Sequence, residues 1–361
     1  MIPLDVAGRL DRLRARLDDA GVDALVVTNL SNVRYLTGFT GSAGMLAVSA
    51  HGALLTTDGR YRTQSAEQVA AAGAAVEITV GALGAQREAV RAFVSAAAHV
   101  GLEADHVSWN DSRQWRELVG EVVPTSGQVE ALRERKDDGE VDRIARAAAI
   151  ADAALQEVVT MLSSGVTEAE LALDLDTAMC RGGAESVAFE TIVAAGPNSA
   201  KPHHRPTDRR IGRGEAVVID FGATFDGYRS DMTRTFFVGG EPEGELARVF
   251  EVVADSQARG VAAVAPGVAC SKVDAICRDV IAAAGWAERF EHGTGHGVGL
   301  DIHEAPTVNA LGTATLAAGM IVTVEPGVYL PGTGGVRIED TLVVIETGSR
   351  ALTNFAKTIA A

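Results

Sequence analysis

Two aspartates, Asp220 and Asp231, lie in a segment whose pattern predicts a β-hairpin. The segment reads VVIDFGATFDGYRSDMTRTFFV, in which two apolar strands flank an Asp-Gly turn signal at residues 226–227. A turn centred between residues 225 and 226 places the aspartates directly opposite each other, and a turn centred one residue later places them diagonally on one face. Either register brings the two carboxylates together.

Two glutamates, Glu325 and Glu339, are predicted to meet in the same way. In IVTVEPGVYLPGTGGVRIEDTLVV, a turn centred at Gly332 places one glutamate opposite the other. Like charges that face each other destabilise a sheet, and carboxylates in apolar strands are costly to bury unless they are protonated or bound to cations. A solvated sheet face is the alternative, but the apolar neighbours favour burial and hence a metal centre.

Histidines are concentrated in two other segments. EHGTGHGVGLDIHEAP contains His292, His296 and His303, and the PHH sequence contains His203 and His204, so these segments hold five of the eight histidines. This density favours chemistry, because imidazoles serve as metal ligands and as acid-base groups. Carboxylates with an imidazole suit Mn²⁺, Co²⁺, Fe²⁺ or Zn²⁺. Two such ions can activate water and polarise a carbonyl, so the expected reaction is hydrolysis.

The elements that position these residues are predicted to form two domains, because 361 residues exceed the usual size of one hydrophobic core. Residues 4–123 alternate between helix and strand patterns, with a hairpin at MLAVSAHGALLTT, and so predict a small α/β domain. The turn-forming residues 124–128 follow, and we therefore place the domains at 1–125 and 126–361.

The second domain is predicted to begin with helices and to continue mainly with strands. One long helix is expected from Val129 through RERKDDGEVDRIARAAAIADAALQEVV. Another is expected from Thr167, where Thr-Glu-Ala-Glu supplies a cap, to the glycines at 182 and 183. Strands dominate from Ser186, interrupted by helices near 245–265 and 271–284.

Composition excludes several classes of function. The net charge of -16 argues against nucleic-acid and anionic-membrane partners, which require a basic surface. Cysteines 180, 270 and 277 show no CxxC spacing, so we expect them to be reduced and mostly buried. The N-terminal residues show no signal-peptide pattern, and no run of about 18 apolar residues occurs. A cytoplasmic location is expected.

The ligand motifs resemble those of the pita-bread metallopeptidases, which include aminopeptidase P, prolidase and methionine aminopeptidase. The matching motifs, in order and at similar spacing, are VIDFG, YRSDMTRT, HGTGHGVGLDIHE, TVEPG and VRIED. The resemblance implies that Asp220 binds one metal ion, that His296 and Glu325 bind the other, and that Asp231 and Glu339 bridge the two. It also implies two divalent ions, with Mn²⁺ as the first candidate and Co²⁺, Zn²⁺ and Fe²⁺ as alternatives.

The resemblance further implies catalytic residues beside the metal ions. His203, in NSAKPHH, matches the family histidine that assists at the scissile bond, and His303 matches the one that contacts the substrate carbonyl and nitrogen. His292 and Arg337 also match family active-site positions, and Tyr228 and Tyr329 are additional candidates.

The N-terminal half discriminates among members of this family. SNVRYLTGFTGSAG resembles a segment of aminopeptidase P, prolidase and creatinase, and methionine aminopeptidases lack this domain. The resemblance therefore implies a creatinase/prolidase-like α/β domain followed by a pita-bread α+β catalytic domain, assembled as a homodimer. Creatinase and the non-catalytic pita-bread binding proteins lack the metal set. The retained ligands imply a peptidase that cleaves the bond before proline in small peptides.

Substrate length is left open by one departure from the family pattern. Prolidases often place an arginine between the second active-site histidine and the first glutamate, where it holds the carboxylate of a dipeptide. No Arg or Lys lies between His303 and Glu325. Arg337, His203 or a partner subunit could take this role, although Arg337 could instead form a salt bridge with a metal-binding carboxylate. We expect an Xaa-Pro dipeptidase, with an aminopeptidase P acting on longer peptides as the alternative.

Overall fold

The computed structural model describes residues 1–240 and 242–357 in two compact units. The first unit is Pro3–Arg133, and the second comprises the chain from Glu134 onward together with Met1–Ile2. The predicted domain boundary between residues 125 and 126 stays a prediction. Position 241 and residues 358–361, which belong to the predicted second domain, lie outside the described residues. Over the described ranges, no helix has the length and apolar character needed to cross a bilayer.

The first unit is a mixed six-stranded sheet with helices. Its strands are β1 (Ala24–Val27), β2 (Gly44–Ser49), β3 (Gly52–Thr57), β4 (Glu77–Val80), β5 (Val100–Glu103) and β6 (Val122–Thr125), in the order β4-β3-β2-β1-β5-β6. Its helices are α1 (Arg9–Leu17), α2 (Leu30–Thr37), α3 (Arg62–Ala72), α4 (Leu83–Phe93), α5 (Trp109–Val119) and α6 (Glu130–Arg133). The predicted hairpin is confirmed as β2 and β3, with Ser49 paired to Gly52.

The second unit begins with helices and continues with short strands, as predicted. Its helices are α7 (Asp138–Val158), α8 (Glu168–Arg181), α9 (Gly244–Ala263) and α10 (Cys270–Ala283). Its strands are β7 (Ser186–Val187), β8 (Ile192–Ala195), β9 (Ala216–Phe221), β10 (Ala223–Phe225), β11 (Tyr228–Arg229), β12 (Met232–Phe237), β13 (Gly295–Gly297), β14 (Glu304–Val308), β15 (Ile321–Val324), β16 (Gly327–Leu330), β17 (Gly334–Arg337), β18 (Asp340–Ile345) and β19 (Gly348–Ala351).

The long helix predicted from Val129 is wrong, because the chain breaks between α6 and α7. The Lys136 amide donates to the Gly319 carbonyl at 2.8 Å, which takes this stretch out of helical bonding. Asp137 then caps α7 in a reciprocal capping box with Glu140. The prediction for α8 is confirmed, since Thr167 forms the equivalent capping box and the helix ends before a glycine.

Two apolar layers hold the strands that carry the predicted ligands. Leu155 of α7 and Leu175 of α8 are fully buried against β9 and β12 residues such as Phe236. On the other side of the unit, helices α9 and α10 bury residues such as Val253 against β15 and β18. Burial of this apolar surface is the main source of stability for the strands, at roughly 25 cal/mol per Å².

Gly222, between β9 and β10, is required by a close backbone approach. A Cβ atom at this position would lie 1.9 Å from the Ser230 carbonyl oxygen. We predict that Gly222→Ala lowers the free energy of unfolding by about 1–3 kcal/mol or more, measured by chemical denaturation. Gly84→Ala in α4 is the matched control, because open space surrounds it and alanine favours helix there. Equal stabilities for wild type and Gly222→Ala would contradict the prediction.

Candidate active site

The first predicted hairpin is confirmed in its diagonal register. Asp220 pairs with Thr233, so Asp231 lies two residues along the opposite chain and on the same face. The turn residues Asp226 and Gly227 have φ angles of 44° and 72°, the positive values that a two-residue hairpin turn requires. The two aspartates therefore meet through strand pairing.

The second hairpin has the predicted centre. The flanking pairs are Val324 with Asp340 and Gly327 with Arg337. This register places Glu325 opposite Glu339, and Gly332 at the centre of the turn has a φ of 79°. Both acidic pairs thus arise from local hairpin geometry.

His296, on β13, faces the carboxylates with its Nε2 atom. Its Nδ1–H donates to the Gly297 carbonyl at 3.0 Å, which leaves the Nε2 lone pair free. Nε2 lies 3.5 Å from both Asp231 Oδ2 and Glu325 Oε1. Asp231, His296 and Glu339 each offer a donor atom, and these atoms lie within 4.8 Å of one another.

Burial makes the negative charges at this site costly. Asp231 is only 5% exposed and Glu339 only 2% exposed. Burial, followed by repulsion from neighbouring carboxylates, raises the pKa of each well above its ordinary value. Burial also raises the pKa of Glu325 to about 8. The carboxylates need a compensating cation to remain ionised at neutral pH.

The oxygen atoms of Asp220 and Glu339 show that the donor set fits divalent metal ions. Arg337 Nη2 donates to Asp220 Oδ2 at 2.6 Å, and Thr233 Oγ1 donates to Glu339 Oε2 at 2.7 Å. The second oxygen of each carboxylate is buried and has no hydrogen-bond partner among residues 1–240 and 242–357. An unpaired buried carboxylate oxygen is strongly unfavourable, whereas coordination to a cation satisfies it.

Arg337 is engaged inside the site. Its side chain is 3% exposed, and three further N–H donors bind Thr233 Oγ1 at 3.0 Å, Tyr329 Oη at 2.9 Å and the Pro202 carbonyl at 3.2 Å. Of the two roles that the sequence left open, this geometry favours the salt bridge with Asp220. A substrate carboxylate would have to displace these contacts to reach the guanidinium.

Tyr329 joins the network through His292. The Tyr329 hydroxyl donates to His292 Nε2 at 2.8 Å, and His292 Nδ1–H donates to the Gly293 carbonyl at 2.8 Å. Burial lowers the pKa of His292 to about 4, so the imidazole is neutral at pH 7. Both of its ring nitrogens are used, which suits a structural role for His292 beside the metal ligands.

His203 and His303 differ from His292, because both are exposed and neither has a hydrogen-bond partner in the described part of the chain. The His303 ring packs edge-on against His296, with centroids 4.4 Å apart. Burial lowers the pKa of His303, and His203 adds to this effect through its charge. These two imidazoles are available to contact a substrate.

Tyr228, a candidate from the sequence, lies apart from the carboxylates and histidines of the site. Two threonines that do contact the predicted ligands were not among the candidates. The Tyr228 hydroxyl donates to Glu140 on α7 at 3.0 Å. Thr233 and Thr323 were not predicted, yet they contact Glu339 and Glu325. Each threonine lies two residues along the chain from a predicted ligand, Asp231 or Glu325, and this two-residue spacing could have identified them.

Known proteins match both units. Residues 142–346 match Metallopeptidase family M24, and residues 9–135 match the Creatinase/Prolidase N-terminal domain. An uncharacterized peptidase of Bacillus subtilis (strain 168) is 39% identical over 97% of this chain and 98% of its own. The structure of an Xaa-Pro dipeptidase from Bacillus anthracis has a TM-score of 0.94 at 39% identity, covering 98% of this chain and 99% of that one. An X-Pro aminopeptidase from Thermotoga maritima MSB8 has a TM-score of 0.87 at 34% identity, with 98% and 100% covered.

An α/β unit followed by an α+β unit with buried carboxylates and a neutral imidazole defines a two-domain metallohydrolase. The chain belongs to metallopeptidase family M24 and carries the creatinase/prolidase N-terminal domain. The predicted fold class, a creatinase/prolidase-like domain followed by a pita-bread catalytic domain, is confirmed. The enzyme is a metal-dependent peptidase.

Proposed function

We propose that this metallopeptidase is an Xaa-Pro dipeptidase that uses two divalent ions. The observation that supports the metal centre is the pair of buried carboxylate oxygens, one on Asp220 and one on Glu339, that lack a partner in the described residues. The proline preference is supported by the similarity to the Xaa-Pro dipeptidase of Bacillus anthracis.

Five side chains would hold the two ions. Asp220 would bind one ion, His296 and Glu325 the other, and Asp231 and Glu339 would bridge them. We propose Mn²⁺ as the native metal, with Co²⁺, Zn²⁺ and Fe²⁺ as alternatives that the same donors accept. When bound, the ions activate a water molecule and polarise the scissile carbonyl.

The protein contributes orientation and proton transfer. Arg337 and Thr233 each hold one oxygen of a metal-binding carboxylate, so the other oxygen stays directed into the site. His303 and His203 have unpaired ring nitrogens in the described chain and can exchange a proton with the substrate or stabilise charge on it. Because burial lowers the pKa of His303, its imidazole is neutral at pH 7 and can accept a proton.

An aminopeptidase P that acts on longer peptides is the second candidate. Four of the five N–H donors of Arg337 are occupied, and no basic residue lies between His303 and Glu325. A site that selects dipeptides needs a cation or several donors for the free carboxylate, whereas a longer peptide needs that space open. The similarity to the X-Pro aminopeptidase of Thermotoga maritima also favours this candidate.

A peptide panel at equal metal loading tests the proposed function. We predict that kcat/KM for Ala-Pro exceeds that for Ala-Pro-Ala, but by less than in a prolidase with an arginine at the substrate carboxylate. Ala-Ala should be hydrolysed poorly. Cleavage of the tripeptide alone would make the enzyme an aminopeptidase P, and equal hydrolysis of Ala-Ala would refute the proline preference.

We further propose that the enzyme acts as a cytoplasmic homodimer on small proline-containing peptides, without a nucleic-acid or membrane partner. The net charge of -16 supports the exclusion of anionic partners. Dimerisation rests on the resemblance of the N-terminal segment to that of prolidase and aminopeptidase P. Analytical ultracentrifugation of the purified protein tests it directly.

A further inference from the structure

The turn that presents His203 is fixed from both sides. The His204 amide donates to the Lys201 carbonyl at 3.2 Å, so Pro202 and His203 form the corner of a tight turn. On one side, Arg337 Nη1 donates to the Pro202 carbonyl at 3.2 Å. On the other side, the His204 ring is bound to a buried carboxylate. His203 is therefore the exposed tip between two anchors.

That carboxylate is Glu168, whose two oxygens accept hydrogen bonds from four residues of the segment 195–207. Oε1 accepts from the Ala195 amide at 2.8 Å and from Asn198 Nδ2 at 3.0 Å. Oε2 accepts from His204 Nε2 at 2.9 Å, and from Thr207 through its amide at 3.1 Å and its hydroxyl at 2.6 Å. The Glu168 side chain is fully buried, so water does not compete for these bonds.

The position of Glu168 follows from the capping of α8. Thr167 caps the helix, which makes Glu168 its first residue, where the positive end of the helix dipole favours a carboxylate. The Glu168 and Ala169 amides donate to the Arg209 and Thr207 carbonyls at 3.0 Å each. Burial alone would raise the pKa of Glu168, but hydrogen bonds led by that of Thr207 lower it overall. The Glu168 carboxylate is ionised at neutral pH, and it binds both main-chain and side-chain groups of the segment 195–207.

The two adjacent histidines therefore differ in environment. His204 is 8% exposed and bound to Glu168, whereas His203 is exposed and has no hydrogen-bond partner in the described part of the chain. The His203 ring is tied to the active site through the preceding residue, Pro202, whose carbonyl accepts from the same Arg337 guanidinium that donates to Asp220. A displacement of the turn would move this ring relative to the substrate.

We propose that Glu168 and His204 are positioning residues that hold His203 at the scissile bond. The inference rests on the proposed function, in which His203 contacts the substrate. Displacement of a reacting group by about 1 Å can cost roughly 100-fold in rate. Glu168 thus contributes to turnover without touching substrate or metal ligands.

A double-mutant cycle tests this proposal. Glu168→Gln keeps the size of the side chain but replaces one acceptor oxygen by an amide donor, which opposes the donors around it. In the wild-type background we expect kcat for Ala-Pro to fall by about 10- to 100-fold, with little change in KM or metal content. In the His203→Ala background the same substitution should have little further effect, because the group that it positions is gone.

The controls separate positioning from stability. Thr207→Val removes a single hydroxyl donor to Glu168 and provides a milder variant if Glu168→Gln does not fold. Glu103→Gln removes another buried carboxylate, in the first unit, which accepts from the Thr28 and Asn29 amides, and should lower stability without changing kcat. The proposal would be overturned if Glu168→Gln, or Thr207→Val in its place, lowered kcat by the same factor in the wild-type and His203→Ala backgrounds. Full turnover by His203→Ala would instead refute the role of His203 in the proposed function.

Discussion

Glu339→Ala is expected to lose bound metal and peptide hydrolysis together. Glu339 is 2% exposed and faces Glu325 across the hairpin, and one of its oxygens has no protein partner among the described residues. Removing a proposed bridging ligand would leave the remaining carboxylates poorly neutralised. Loss of a residue that only hydrogen-bonds to a metal ligand typically costs up to about 100-fold in activity. Because Glu339 is proposed to be a ligand itself, we expect kcat/KM for Ala-Pro to fall by more than about 100-fold. Metal analysis of freshly purified protein, beside the hydrolysis assay, measures both effects.

Glu346→Ala is the matched control, because Glu346 directly follows β18 and is exposed. It should retain wild-type metal content and turnover. Treatment of the wild-type enzyme with a chelator should abolish hydrolysis, and Mn²⁺ or Co²⁺ should restore it. An unchanged metal stoichiometry in Glu339→Ala would show that Glu339 is not a ligand, and full activity after chelation would refute the metal-dependent mechanism.

The acidic pairs were predictable because they depend on local hairpins. An Asp-Gly turn and a glycine-rich turn determine which residues pair, and the two-residue periodicity of strands then determines which side chains share a face. Asp220 with Asp231 and Glu325 with Glu339 follow from these rules alone. Only the choice between two registers for the aspartates required the structure, which has the diagonal one.

Residues that act through distant contacts were not predictable from local patterns. Glu168 looked like an ordinary helix-cap residue, and its partners lie 27 to 39 positions along the chain. The break before α7 likewise depends on a main-chain bond from Lys136 to Gly319. Asp137 and Glu140 do form the capping box that marks a helix start, so part of this break had a local signal, but the path of the chain before it depends on the distant bond.

The geometry of Arg337 favours one of the two roles that the sequence left open. Its place two residues before Glu339 puts both side chains on one face of the chain, but it does not say whether the guanidinium faces solvent or Asp220. The ion pair at 2.6 Å and the bond to Tyr329 direct the guanidinium into the site. We therefore expect substrate selectivity to depend on other groups, and the tripeptide comparison tests this expectation.

Replacement of His303 or His203 by alanine is expected to leave the metal site intact and to reduce turnover. Both rings are exposed and have unpaired nitrogens among the described residues, whereas His296 alone directs a ring nitrogen at Asp231 and Glu325 within 3.5 Å. An acid-base or charge-stabilising group contributes roughly 10²- to 10⁴-fold, so kcat should fall by that factor in each variant. Hydrolysis of Ala-Pro and metal content should be measured on the same preparations.

His51→Ala provides the control for histidine removal, because His51 is an exposed residue of the β2–β3 turn in the first unit. It should leave turnover, metal content and the unfolding temperature unchanged. For His303→Ala and His203→Ala the unfolding temperature should also stay close to that of the wild type, since an exposed ring without a hydrogen bond contributes little to stability. Loss of metal from either variant would show that the histidine is itself a ligand, and the assignment of His296 as the single imidazole ligand would then be wrong.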